Sequence, residues 1–421
     1  MRVDADDFAR PCSCGREHHI DVKEIVIESG AIGKLEEEMS DGDLREYISP
    51  LLICDTNSYK ATEELMEDIY DRCQVLILDA EGLEADDRAV EIVENYMEED
   101  IDLVLAVGAG TIHDLSRFVA HQYRIPFVSV PTAASSDGFT STVADMTWNG
   151  VKKTVAASAP LFVFADTDIF AKAPKRLTAA GVSDILGKYI ALADWKIASI
   201  LSEEYYCAEV VNLETRAVRT VKDNLKEIAA GEEEACEKLM YALVLSGLAM
   251  QMTGNSRPAS GAEHHLVHLW DMEVVNGHLD ALHGEKVSGG TMLVLLEYKK
   301  IADAIRRGTC KVHTCTEEDQ ELLKETFGKK GILGALEKEN TPEPLDDVST
   351  RELSDALPRI LKIIDALPAV TDMQEMMNTA GCVSRVRDIG LPGEVIEESL
   401  LLAPYTRRRL SLLRLRKMLT Y

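Results

Sequence analysis

The chain has 421 residues, 46% of them hydrophobic, which is more than one core usually organises and leads us to expect two domains. No run of 18 or more apolar residues occurs and the opening MRVDADDFARPCSC lacks the apolar stretch of a secretory leader, so neither membrane insertion nor secretion is expected and the cytoplasm is the default compartment. A formal net charge of −28 excludes nonspecific nucleic-acid binding, which needs a basic footprint, and nine irregularly spaced cysteines do not make a disulfide framework.

Along the chain, the first chemistry-bearing cluster is Cys12, Cys14, His18 and His19 in RPCSCGREHHI. It is a candidate structural zinc site, although C-x-C-x3-H is not among the standard zinc-binding patterns. The runs EIVIE (24–28), LLICD (51–55), VLILD (75–79), LVLAVG (103–108), FVSVPT (127–132) and FVFAD (162–166) predict strands. Their continuous rather than alternating apolarity predicts a parallel sheet covered on both faces. Helical patterns at 58–73 and 85–100 alternate with them, which gives an α/β, Rossmann-like nucleotide domain over residues 1–174. Beyond it, long helical periods at 179–201, 207–231 and 234–252, with no convincing strand after them, predict an all-helical domain over 175–421. A cleft between two such domains is a preferred place for a ligand.

Within the first half, the strand 103–108 runs into Gly108-Ala109-Gly110-Thr111-Ile112-His113 and then a helical pattern. Glycines there let backbone N–H groups approach a pyrophosphate at a helix N-terminus. His113 stands where the third glycine of the usual dinucleotide fingerprint belongs, so a simple tight turn is the competing reading. Asp55, at the end of its strand, is either a ribose acceptor or the N-cap of the next helix. The loop Pro131–Ser141, carrying Thr132, Ser135, Asp137 and Ser141, suits ligand contact at a strand's carboxyl edge, or it is a locally capped loop.

In the helical half, Asp184 lies in an otherwise apolar helix, while His264 and His268 stand one turn apart in EHHLVH and His283 opens a further apolar run. One aspartate and two histidines make a three-ligand divalent-metal site with open positions, and helix geometry does not choose between His264 and His268. Cys310, His313 and Cys315 read as surface-loop groups. The basic stretch 405–419 reads as a helix that packs its leucines and leaves its arginines solvated or ion-paired.

Taken together, GAGTIHDLSRFVA (108–120), PTAASSDGFTST (131–142), KKTV (152–155), AAGVSDILGK (179–188), ADWKIA (193–198), SRPASGAEHHLVH (256–268) and LHGEKV (282–287) resemble the bacterial branch of the sn-glycerol-1-phosphate dehydrogenase family. That family lies within the dehydroquinate synthase and iron-type alcohol dehydrogenase superfamily, and the resemblance spans nearly the whole chain. It implies an N-terminal nucleotide domain, a helical C-terminal domain and a site in the cleft. It implies NAD or NADP as cofactor, with Gly108, Ala109, Gly110, Thr111 and Ile112 at the pyrophosphate and Asp55, Thr132, Ser135, Ser141 and Lys152 completing that pocket. Asp184, His264 and His283 match the ligands of one divalent ion, zinc or nickel, and His268 and Asp137 match substrate-contacting positions. His265 is expected to be structural.

The implied reaction is hydride transfer between the nicotinamide and dihydroxyacetone phosphate or sn-glycerol 1-phosphate, with the ion polarising the carbonyl. Asp55 favours NAD, since a carboxylate repels a 2′-phosphate. Two departures stand out. No family role carries onto the CSCGREHH segment, and Ala262 replaces a glycine expected before the Glu-His pair. The rival readings are a glycerol dehydrogenase without phosphate and a dehydroquinate-synthase-like lyase. The lyase is disfavoured because it pairs a glycine before the first histidine with a glutamate where Asp184 stands. A homo-oligomer is possible.

Overall fold

Strands form where β-branched, fully apolar runs can be covered from both sides. In the computed structural model, which describes residues 2–4, 11–97, 99–315 and 320–421, these are β1 (Arg2–Asp4), β2 (Glu24–Glu28), β3 (Pro50–Asp55), β4 (Gln74–Leu78), β5 (Leu103–Gly108), β6 (Phe127–Pro131), β7 (Val143–Trp148), β8 (Val151–Ala156) and β9 (Phe162–Asp166). Seven of them form one sheet in the order β1-β2-β9-β6-β5-β3-β4, parallel throughout except for β1 at the edge. Helices α1 (Ala31–Ser40), α2 (Thr56–Thr62), α3 (Glu67–Tyr70), α4 (Asp87–Glu94), α5 (Gly110–Tyr123) and α6 (Thr167–Phe170) intervene. On β5, Val104 and Ala106 face a core with Leu115 and Val119 of α5, while Leu105 and Val107 face a second core with Leu35 of α1 and Ile69 of α3. Two covered faces explain why the strand reads as unbroken apolarity.

The chain gathers into two units: residues 1–149, 153–185 and 212–256, and residues 150–152, 186–211 and 257–421. The first holds the sheet. The second is helical, with α11 (Ala262–Asp271) and α12 (His283–Arg307) at its centre. Helices α7 (Lys175–Leu201) and α8 (Ala208–Lys222) contribute residues to both units, and α9 (Leu225–Ala230) and α10 (Glu233–Thr253) belong to the first. The second continues through α13 (Gln320–Phe327), α14 (Leu333–Glu339), α15 (Thr350–Asp365), α16 (Val370–Thr379), α17 (Ile396–Leu402) and α18 (Leu412–Leu415).

Four expectations need correction, each for a local reason. The helix predicted over 58–73 breaks after Thr62, whose hydroxyl bonds the Ser58 and Tyr59 carbonyls and the Tyr70 hydroxyl. The helix over 207–231 breaks at Asn224, whose side-chain amide takes the Thr220 carbonyl. The helical half does contain strands: β10 (Lys311–Val312) pairs antiparallel with β11 (Leu419–Thr420). The stretch 405–419 is not one helix. Arg414, fully buried, donates to the Pro404 and Arg407 carbonyls and pairs both ways with Glu343, using carbonyls that a helix would need. The hairpin β7–β8 is an addition, turned at Asn149 and Gly150 with φ of 50° and 74°.

Candidate active site

The nucleotide end follows from sheet topology. From β3 the chain steps outward to β4, returns past β3 to β5, and then continues through β6 to β9. The winding therefore reverses between β3 and β5, and open α/β sheets bind ligands at the strand carboxyl ends beside such a reversal. The register Cys54 opposite Val107 sets Asp55 beside Gly108, and Gly108 in turn pairs with Pro131. Three of the expected cofactor segments thus start from one row of strand ends.

The turn between β5 and α5 is tight. A Cβ on Gly108 would meet Ile112 Cβ at 2.7 Å, and one on Gly110 would meet Ser136 Oγ at 3.0 Å. Helix α5 starts at Gly110 and presents its first N–H groups, with the helix dipole, at the crevice. His113 locks this turn: its Nδ1–H donates to the Ala109 carbonyl at 2.9 Å and its Nε2 meets Ser129 Oγ at 2.8 Å. Burial pushes its pKa down to about 3, so the ring is neutral, in keeping with one donor and one acceptor nitrogen. The residue that breaks the glycine fingerprint ties the loop to β6 instead.

Thr132 and Asp55 stand at the same row of strand ends. Thr132 N–H donates to the Gly108 carbonyl at 3.0 Å. Thr132, Ser135 and Ser141 are all buried. Asp55 caps α2, its Oδ1 accepting from Asn57 and Ser58 N–H at 2.8 and 2.9 Å. Arg117, which sequence reasoning missed, is buried on α5 and donates to the Gly138, Ser141 and Val143 carbonyls, fixing the loop that carries Asp137 and Ser141. A lone arginine inside a helical pattern gives no sign of that task.

The metal end is built on α7, α11 and α12. A Cβ on Gly187 of α7 would lie 2.9 Å from Val287 of α12 and 3.5 Å from Glu263 Cγ of α11. Gly290 of α12 sits so close to α11 that its Cβ would be 2.7 Å from the Glu263 carbonyl oxygen. Asp184 is one turn before Gly187, His264 follows Glu263, and His283 starts α12. One ligand atom from each of Asp184, His264 and His283 lies within 4.8 Å of the others.

The outer groups fit an ion there. Glu263, fully buried, accepts from His264 Nδ1–H at 2.8 Å, so that Nε2 is the nitrogen that could meet an ion. Glu263 also accepts from Gly261 N–H at 2.7 Å, while Asp194 of α7 accepts from Ala262 N–H at 2.9 Å and Tyr298 O–H at 2.7 Å. Burial pushes Asp194 up to about 6. Asp184 accepts the Asp137 amide at 3.0 Å, and the Asp137 carboxylate accepts from Ser246 O–H at 2.8 Å. One carboxylate and two imidazoles, backed by an orienting carboxylate, are a donor set for a divalent ion. The sequence had offered Glu263 and Asp194 as no more than acidic residues in helices.

His268 lies buried one turn beyond His264, as expected. His265 is fully buried, and its ring nitrogens meet no hydrogen-bond partner among the described residues. Burial, helped by the Arg409 and Arg407 charges, holds it well below the ordinary imidazole range. Lys152 stands 3.9 Å from Asp271 at the end of α11, and Lys286 bonds the same carboxylate at 2.7 Å. Cys310, His313 and Cys315 flank β10 and form no donor cluster among the described residues.

Comparison with known proteins agrees with this layout. Residues 26–174 match the family described as iron-containing alcohol dehydrogenase. The structure of an NADH-dependent butanol dehydrogenase from Thermotoga maritima superposes with a TM-score of 0.61 at 17% identity, covering 94% of this chain and 92% of that one. A maleylacetate reductase from Agrobacterium tumefaciens gives 0.61 at 13%, covering 97% of each. By fold the chain stands among the iron-type alcohol dehydrogenases, the α/β-plus-helical architecture expected above.

Two sequence relatives narrow that class. Glycerol-1-phosphate dehydrogenase (NAD(P)+) from Geobacillus stearothermophilus is 33% identical over 402 residues, covering 93% of this chain and 92% of its own. The same-named protein from Halalkalibacterium halodurans is 33% identical over 418 residues, covering 97% and 96%. The chain belongs to the glycerol-1-phosphate dehydrogenase family. Among the described residues no helix is long and apolar enough to cross a membrane.

Proposed function

We propose that the chain interconverts dihydroxyacetone phosphate and sn-glycerol 1-phosphate in the cytoplasm, using NAD(P)H and one divalent ion, zinc or nickel. The observation that carries this reading is the gathering of Asp184, His264 and His283 within 4.8 Å, in a chain of this family. In this reading residues 1–174 bind the dinucleotide, and residues 175–421 bring most of the metal- and substrate-binding groups.

The N–H groups of Gly108, Ala109, Gly110, Thr111 and Ile112 hold the pyrophosphate at the start of α5. Asp55 turns its remaining acceptor capacity to the ribose, and Thr132, Ser135, Ser141 and Lys152 close the cofactor side. Asp184, His264 and His283 would hold the ion, which supplies a Lewis acid for the substrate oxygen. Asp137, fixed by the Ser246 hydroxyl and by the hydrogen bond its backbone N–H donates to the Asp184 carboxylate, orients the substrate hydroxyl. His268 relays the proton that the carbonyl oxygen gains as hydride reaches the carbon. Positive charge for an anionic substrate, in a chain of charge −28, would come from arginines near α11, where Arg407 and Arg409 act on buried His265 while Arg257 is paired with Glu204.

The test is NADH oxidation with dihydroxyacetone and with its phosphate, measured on the same metal-loaded protein. A kcat/KM at least tenfold higher for the phosphate is expected. An equal or higher value for the unphosphorylated ketone would overturn the substrate assignment in favour of a glycerol dehydrogenase.

A further inference from the structure

A second donor cluster stands apart from the site above and from every role considered for it. Cys12, Cys14, His18 and Cys207 each offer one ligand atom, all within 4.8 Å of one another. We propose that these four residues bind a structural zinc ion that clips the segment around residues 12–21 to the start of α8.

The local geometry is that of a built site. Gly15, with φ of +80°, closes a turn by donating its N–H to the Cys12 carbonyl at 3.1 Å, which brings Cys12 and Cys14 to the same side of the loop. Cys14 Sγ and His18 Nε2 are 3.5 Å apart. His18 is buried, and its Nδ1–H donates to the Met252 carbonyl at 2.6 Å, which fixes the tautomer with the Nε2 lone pair toward the sulfurs. Cys207, fully buried, sits immediately before α8. The segment is pinned further on, where Asp21 N–H donates to Gln251 Oε1 at 2.9 Å.

The donor chemistry selects the ion. Three thiols and one imidazole are a soft Cys3His set, which suits zinc and fills all four tetrahedral positions. No position is left for substrate, so the role is structural. Binding replaces three thiol protons, released to solvent, with three thiolate–zinc bonds. This set differs in kind from the carboxylate and imidazoles of the other site, so the two ions can be told apart.

The spacing C-x-C-x3-H looked unconventional because the fourth ligand lies far along the chain. The clip also bears on the active-site loop. Met252 and Gln251 end α10, and the Gln251 side-chain amide donates to the Thr140 carbonyl, next to Ser141.

The experiment uses full-length protein purified under reducing conditions without added metal. Elemental analysis of His264→Ala is expected to retain about one zinc per chain, released to a chromophoric chelator after the thiols are titrated with a mercurial. Cys14→Ser with Cys207→Ser should lose that ion. If the double variant does not fold, cobalt exchange into the wild-type protein decides the question. Intense thiolate-to-cobalt charge-transfer absorption is expected in addition to the weak bands of an oxygen and nitrogen site. A His264→Ala protein with no thiolate-bound metal, a cobalt spectrum without charge-transfer bands, or a disulfide among Cys12, Cys14 and Cys207 in the isolated protein would each overturn the proposal.

Discussion

Glu263 holds the ring of His264 by its Nδ1–H, and that bond sets two expectations. His264→Ala should remove the active-site ion while leaving the thermal transition within a few degrees of wild type, as read by elemental analysis and calorimetry. Glu263→Gln keeps the shape but weakens the orienting bond, so affinity for the ion should fall roughly 10- to 100-fold, read by chelator competition. Unchanged affinity would show that Glu263 only fills space.

His113 makes a separate point about acid. Its folded pKa of about 3 lies below the ordinary value of 6.5, so between those values the unfolded chain holds a proton that the folded chain does not. Stability is therefore fully present above pH 6.5 and is lost on acidification toward 3, at about 1.4 kcal/mol per pH unit once well below 6.5. His113→Gln should flatten the slope of stability against pH between 6 and 5, measured by urea midpoints. Equal slopes would sink the argument. The role of His113 was not legible in sequence, where it appeared only as a missing glycine.

Elements were more legible than their meetings. The strands LVLAVG and FVFAD stand at the limits their apolar runs set, because burial on both faces leaves a strand little freedom in register. The hairpin at Asn149 and Gly150 was readable from the Asn-Gly pair and the β-branched flanks, but strand alternation there is interrupted by two lysines. The proposed metal ligands were readable as residue types, whereas their convergence depends on helix packing at Gly187 and Gly290, which no local pattern encodes. Gly290→Ala would press a methyl group against the Glu263 carbonyl oxygen and push α11 from α12. A stability loss of about 1–3 kcal/mol is expected, together with weaker metal binding. A variant as stable as wild type with full metal affinity would mean that the helices separate at no cost to the ligands.

At the scale of the molecule, charge dominates. A chain of −28 repels a phosphorylated ketone at long range, whatever positive field waits near α11. Raising ionic strength from about 10 to 150 mM shortens the screening length from roughly 30 to 8 Å. The kcat/KM for the phosphate should then rise, roughly two-fold or more, whereas an enzyme that steers anions inward would slow. The unphosphorylated ketone should show no such trend, which makes it the internal control.

Asp194 accepts the Leu412 N–H at 2.9 Å as well as bonds from Ala262 and Tyr298, and the Tyr298 hydroxyl in turn accepts from Leu413 N–H at 3.2 Å. The residues that brace the start of α11 are thus completed by a stretch translated about 150 residues after His264. During synthesis the ribosome must pass Leu413 before this brace on the start of α11 can close. A nascent chain stalled before that point would lack this brace on the segment that leads into His264 and His265.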